Sequence, residues 1–345
     1  MMTCHMKGNG FVQLIAVISI LFMTACDNLI YEGEGDCTTT YQLNFIYDYN
    51  MKYANAFSHE VKSVSAFLFD ESGTLAYTKS EQINEQNQSD YKMNLDIRSG
   101  TYDILAWCGI SGTDSYEIPE VQIGKTRKED LTCWLDRVKN DSLQVVDKQL
   151  PFLFHGWVEE VFFCPLSGVH TANVPLVKNT NIVKVVFQQL SGEPVDASLF
   201  DFQITDENGW MNWDNTLLPD EQLTYKPWSV SQGTADMEDG TDHSRTVTQV
   251  SVALAEFTIN RLIVGHKPVL AVFNRKTREK VLSIPLIDNF LLVKGNYNKS
   301  MTDQEFLDRQ DEYNLTFFLD ADNRWANSVI YINSWRLVIH DDTEL

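Results

Sequence analysis

Positive charge is scarce in this chain. It holds 27 lysines and arginines against 48 aspartates and glutamates, a net charge of −21. Binding to nucleic acid rewards clustered Lys and Arg, and so does adsorption to anionic lipid headgroups. Both are excluded for the body of the protein. Signatures of common chemistry are also missing. There is no Cys-x-x-Cys pair for zinc and no His-Glu-x-x-His. There is no Gly-x-Ser-x-Gly elbow and no Gly-rich phosphate loop. The seven histidines (5, 59, 155, 170, 243, 266 and 340) are scattered. Low-complexity tracts and short-period repeats are absent. No catalytic group, metal or cofactor is expected, and abundant paired carboxylates read as solvated surface acids rather than a glycosidase pair.

One hydrophobic run is present, from Phe11 to Ala25, and nothing later resembles a second. It follows a polar start with Lys7 and ends in Thr24-Ala25-Cys26. A basic start, an apolar stretch and small residues at a cut site make a secretory signal. The cysteine after the small pair makes it a lipoprotein signal, with Cys26 as the acylated first residue of the mature chain. Met23 stands where such signals usually have Leu, and Met6 is an alternative start. The run is short of the about 20 residues of a comfortable span. Removing residues 1–25 takes one base, Lys7, and no acid. The 320 mature residues then carry 26 bases and 48 acids, a charge of −22.

After Cys26 an acidic, Gly-rich stretch, 26–36, reads as a tether. Short alternating runs broken by turn residues follow, which is the pattern of strands. The first set is Thr40–Tyr47, Val61–Asp70, Tyr91–Ile97, Thr101–Trp107, Leu131–Val138, Val158–Cys164 and Asn173–Val177. Met51–His59 reads as a helical turn. Lys178-Asn179-Thr180-Asn181 reads as a break. The second set is Ile182–Leu190, Phe200–Thr205, Arg245–Ala255, Leu262–Val264, Val269–Asn274, Lys280–Ile287, Tyr313–Leu319 and Ser328–Ile339. Thr302-x-x-Glu305 is a capping box that opens one short helix over Asp303–Gln310. Two sets of strands predict an all-β chain of two tandem β-sandwiches, 37–179 and 180–345.

Four cysteines remain beyond Cys26: Cys37, Cys108, Cys133 and Cys164. They can form one or two disulfides, with three possible connectivities for two. Cys108 and Cys133 lie in apolar runs and equally suit small buried positions. Asp201–Gly209 lacks the residue order of a calcium loop and reads as a hairpin turn. Asp236–Asp242 reads as a surface loop. Of eight tryptophans, Trp107, Trp134 and Trp335 suit the core. Trp210, Trp213 and Trp228 lie near turns, and an exposed sugar-stacking platform is the functional alternative to packing there.

The order of several short runs is more specific than any one of them. They are Asp36-Cys37; Phe45 to Met51; Ala54-Asn55-Ala56-Phe57; Glu60-Val61; Phe69 to Gly73; Gly100-Thr101-Tyr102; Ala106-Trp107; and Leu153-Phe154-His155-Gly156. In the second half come Asn179-Thr180-Asn181, Asp206-Glu207-Asn208-Gly209, Ser283 to Ile287, Leu307 to Tyr313 and Ile332-Asn333-Ser334-Trp335. In this the chain resembles the fimbrillin-associated anchor (minor) subunits of Bacteroidetes fimbriae, the type V pilus system, over nearly all its mature length. Gln310 departs from that pattern, which has an acidic residue there.

The resemblance implies transthyretin-like Greek-key sandwiches and a structural role, not an enzymatic one. It implies a lipid-anchored base that holds a fimbria to the outer membrane and ends its polymerisation. The partners would be fimbrillin stalk subunits, met by strand addition, and outer-membrane lipid. The chain ends at Leu345, just beyond its last expected strand, so no C-terminal donor strand is expected. The second sandwich's groove is the expected contact, ahead of the first sandwich's edge. Asp27, Glu32, Glu34 and Asp36 beside the lipid site imply surface display. A surface glycan-binding lipoprotein using Trp210, Trp213 and Trp228 is the alternative, and a lipid-anchored hydrolase a weaker third.

Overall fold

In the computed structural model the described residues are 38–84, 90–140, 143–189, 191, 193–238, 247–295, 298–333 and 335–338. Cys26, Cys37 and the tether lie outside them. Thr38–Thr40 and Leu166–Val169 form a small unit of their own. There Gly168 donates its N–H to the Thr38 carbonyl, and Thr39 Oγ1 to that of Leu166. Everything below concerns the larger unit.

The fold is all-β and sandwich-like. Sheet I has the order Leu75–Gln82, Ser63–Phe69, Gly100–Cys108, Phe154–Phe163, Gly168–Lys178, Thr39–Ile46, Met93–Leu95. Sheet II has the order Ser229–Glu238, Val247–Asn260, Thr180–Gln189, Glu312–Leu319, Trp325–Ile332, Trp335–Val338. Sheet III runs Lys280–Pro285, Val269–Asn274, Phe200–Asp206, Leu223–Tyr225, Leu143–Val146, Val138–Asn140. A small sheet joins Trp210–Met211 to Cys133–Leu135 and Tyr116–Glu117.

Alternation sets the cores. Tyr41, Leu43 and Phe45 point inward from Thr39–Ile46 and meet Val64, Ala66, Leu68, Ile104, Ala106 and Phe154 in the first core. Ser63–Phe69 is buried along its whole length. Its odd-numbered Phe67 and Phe69, with Leu105 and Trp107, face a second, larger core. Strands buried on both faces lose alternation and read as continuous runs. In that second core Phe187 of sheet II meets Phe200 and Phe202 of sheet III at ring distances of 5.0 and 5.1 Å. One core therefore takes side chains from both halves of the sequence.

Strand pairing also crosses residue 179. Leu143–Val146 pairs in parallel with Leu223–Tyr225, and Trp134 opposes Trp210. The expected break at 178–181 is not a linker. Only Asn179 separates strands Gly168–Lys178 and Thr180–Gln189, and Asn179 is fully buried. Helix α1 is Phe57–Glu60, overlapping the end of the expected turn Met51–His59 and running one residue past it. Helix α2, Leu286–Leu292, replaces the end of the expected strand Lys280–Ile287. Pro285 stands just before it, where a missing N–H costs nothing. Helix α3, Asp303–Arg309, begins at Thr302, whose side chain accepts from the Glu305 N–H at 3.0 Å.

Candidate functional site

Several of the segments that the sequence pattern singled out, among them Phe45 to Met51, Asn179-Thr180-Asn181 and Leu307 to Tyr313, meet at the junction between the halves. Its first component is a buried cation. Lys178 ends its strand with a side chain only 3% exposed, 2.7 Å from Glu60 and 2.6 Å from Asp311. Its ammonium also lies 3.6 Å from the Phe152 ring centre. Glu60 belongs to α1 and Asp311 follows α3, so one cation ties an early segment to a late one. The Tyr47 phenol is buried beside them without a hydrogen-bond partner. Burial first, then the Asp311 and Glu60 charges, push its pKa up, so it stays protonated.

The second component is an arginine clasp. Arg261 makes a two-pronged bond to Asp308 at 2.7 and 2.8 Å and gives a third bond to the Asn215 carbonyl at 2.9 Å. The fixed fork of guanidinium suits such planar pairing. Asn179 and Asn215 exchange amide bonds at 2.6 and 3.2 Å. Arg309 lies over the rings of Tyr49 and Tyr53, at 4.1 and 4.5 Å, and donates to the Asp48 and Asn50 carbonyls. The Met51 N–H returns a bond to the Arg309 carbonyl.

The third component is a buried chain of phenols and amides. Tyr116 donates to Asn260 at 2.9 Å, Asn260 to the Asn208 carbonyl at 3.0 Å, and Tyr225 to Asn208 at 2.6 Å. The expected hairpin turn at Asp206–Gly209 is therefore an internal strut. Burial raises the carboxyl pKa of Asp206, beside His266. A Cβ on Gly209 would sit 2.5 Å from Asp220 Oδ2 and 2.7 Å from Arg137 Nη2. Those two residues form a buried pair, with both bonds at 2.9 Å, over the Trp134 ring.

His155 completes the junction. Its ring nitrogen lies 2.7 Å from the Trp213 carbonyl, and its ring packs edge-on against Trp107 at 4.7 Å. Burial lowers its pKa to about 4, so it is neutral at pH 7.

The family profile described as fimbrillin-A associated anchor proteins Mfa1 and Mfa2 matches residues 34–341. The chain belongs to the fimbrillin-A associated anchor protein family. A Bacteroides thetaiotaomicron structure described as a candidate adhesin is 35% identical, with a TM-score of 0.75, over 87% of this chain and 97% of that one. A second structure from that organism, described as a candidate polysaccharide-binding protein, is 27% identical with a TM-score of 0.74, over 89% and 100%. The fimbrial anchor protein Mfa2 from Porphyromonas gingivalis shares the fold at 18% identity and a TM-score of 0.62, over 88% and 100%. No curated protein matches.

For this anchor-family chain the run 307–313 is the hub of the junction. Asp308 holds Arg261, Arg309 reaches the first half, and the Gln310 carbonyl accepts from Asn181. Asp311 holds Lys178, Glu312 holds Lys184, and Tyr313 stacks on Phe290 at 3.7 Å. Gln310, the residue that departs from the resemblance, donates to the Glu312 carbonyl.

Other expected site residues are dispersed. Cys108, Cys133 and Cys164 are free thiols, so no disulfide joins any of these three. Cys108 and Cys133 are fully buried in different cores, and burial pushes both thiol pKa values up. Trp210 packs against Trp134 at 5.5 Å and Trp213 against Trp157 at 4.9 Å. Trp228 has a buried indole N–H with no partner. No ring contact links Trp210, Trp213 and Trp228, so they form no common platform. Asp236–Glu238 ends a strand, and the rest of the expected acidic loop lies outside the described residues. Sequence reasoning missed Lys178, Arg261 and Trp157. A lysine and an arginine flanking apolar strand ends in so acidic a chain were the available signal.

Proposed function

We propose that this protein is the lipid-anchored base of a fimbria at the outer membrane, where it ends or limits polymerisation of the fimbrillin stalk. Membership of the anchor family over residues 34–341 carries the reading. Residues 1–25 serve as the lipoprotein signal, Cys26 takes the acyl chains and 26–36 form the tether. The two sandwiches assigned to 37–179 and 180–345 follow, tied together by Val138–Asn140 and Leu143–Val146, which pair into sheet III. One acyl chain holds a protein only marginally, whereas several hold it firmly. A fibre under shear needs the firm attachment and a body that does not yield between its halves. The shared core and the clasp described above suit that demand. Fimbrillin contact is assigned to strand addition at the second half, where main-chain hydrogen bonds give affinity and side-chain pockets give specificity.

Cys26→Ala tests the anchor. The variant should leave the membrane fraction, and fimbriae should be shed into the medium or change in length. A variant that stays with the membrane and holds fimbriae of unchanged length would refute the reading.

A further inference from the structure

A cleft of about 430 Å³ opens at the junction, lined by residues that include Asp48, Tyr49, Trp157, Asp214 and Arg261. Small-ligand sites span roughly 300–1,000 Å³. Trp157 stands two residues beyond His155 on the same face of its strand. It packs edge-on against Trp213 at 68°, and the Lys128 ammonium lies 5.0 Å from both ring centres. The ring is thus fixed before any ligand arrives, which lowers the ordering cost of binding.

The polar groups of the wall divide into two classes. Arg261 is committed to Asp308 and Asn215, and His155 is neutral and bonded to the Trp213 carbonyl. Neither offers a free positive charge. The Asp48 carboxylate, the Tyr49 hydroxyl and the Trp157 indole N–H, by contrast, are lining groups without a hydrogen bond to the described protein. Asp214 takes both bonds from Thr216 on one oxygen, Oδ1, which leaves Oδ2 open.

From this we infer that the junction cleft is a binding site for a neutral saccharide. The electropositive C–H face of a pyranose suits the negative face of the fixed indole. Sugar hydroxyls can donate to Asp48 and Asp214 and accept from the Trp157 N–H and the Tyr49 hydroxyl. Phosphates and acidic sugars meet two carboxylates, a net charge of −21 and no unpaired cation among the described lining residues. The neighbouring Lys128 and Arg309 are paired with Asp103 at 3.0 Å and Glu305 at 2.8 Å. The inference goes beyond fimbrial anchoring and does not depend on it.

The test is a printed array of neutral and acidic oligosaccharides probed with the purified protein. The best neutral hit is then titrated by tryptophan fluorescence and calorimetry. Binding should weaken at least tenfold in Trp157→Ala and in Asp48→Asn, and persist in Trp210→Phe and Trp228→Phe. Asp48 is exposed, so Asp48→Asn remains informative even if Trp157→Ala folds poorly. Retention by acidic glycans alone, no retention of any glycan, or wild-type affinity in Asp48→Asn would each overturn the assignment. So would peptide binding in the cleft that sugar does not displace.

Discussion

Replacing Arg261 with Met asks whether the junction is held by charge or only by packing. The substitution removes two bonds to Asp308 and one to the Asn215 carbonyl. Asp308 is 6% exposed and keeps one described side-chain partner, the Gln304 amide at 2.9 Å. Stripping one partner from a buried ion pair costs about 3–5 kcal/mol, because the remaining charge is left in a poor solvent. Domains are stable by only about 5–15 kcal/mol, so the loss is large. With an m-value of about 3–4 kcal/mol/M for a chain of this size, the urea midpoint should fall by about 1 M. Arg261→Met/Asp308→Leu removes both charges, and such apolar replacements are often close to neutral. The double variant should lie within about 2 kcal/mol of wild type, which gives a coupling energy of at least about 2 kcal/mol. Fluorescence and far-ultraviolet circular dichroism together would report the unfolding. Because one core takes side chains from both halves, the two probes should share a single transition. A cost below about 1 kcal/mol for Arg261→Met, or a double variant equal to the sum of the singles, would refute the clasp.

Four further outcomes follow from the geometry. Burial holds the folded-state pKa of His155 near 4 against an ordinary 6.5, so between these values the unfolded chain binds a proton that the folded chain does not. Stability should therefore fall as the pH drops from 6.5 to 4, by about 3 kcal/mol at the lower end, and this part of the loss should vanish in His155→Gln. Gly209→Ala forces a methyl group against the Arg137–Asp220 pair and should cost about 2–4 kcal/mol in a urea titration, whereas a change under 0.5 kcal/mol would contradict the close approach. Tyr116→Phe leaves the Asn260 side-chain carbonyl without its donor and should cost about 1–3 kcal/mol, measured the same way. In a Cys26→Ala background, brief alkylation of the native protein should label Cys164 and spare Cys108 and Cys133 until urea is added, as peptide mass mapping would show.

The sequence failed most clearly at the sheet edges. Leu75–Gln82 and Ser229–Glu238 were not anticipated as strands. Each lies at the outer edge of its sheet, a position where polar and charged residues are common because they blunt unwanted pairing. Such strands carry little hydrophobic alternation to read. The helix Leu286–Leu292 was missed for the opposite reason, since a short apolar run is ambiguous between strand and helix. The interior strands Thr39–Ile46, Phe200–Asp206 and Val269–Asn274 were legible within a residue or two, because burying one face imposes a period of two.

Local physics thus determined a good deal from sequence alone. An alternating apolar pattern and turn residues fix an all-β chain, and a Thr302-x-x-Glu305 box fixes where α3 starts. The acidic balance argues against a nucleic-acid partner, and the apolar run before Cys26 gives the expectation of a lipid tether. What the tertiary structure decided are the relations between distant segments. It turned the polar run Lys178–Asn181 from an apparent linker into the centre of a buried clasp. It also drew strands from before residue 179 into the sheets that follow it, and dispersed three tryptophans while setting Trp157 at a cleft. The physical reason is the same in each case. Lysine, asparagine and arginine are read as exposed until their partners are known, and here the partners stand more than 30 residues away, as Asn215 does from Asn179 and Asp311 from Lys178.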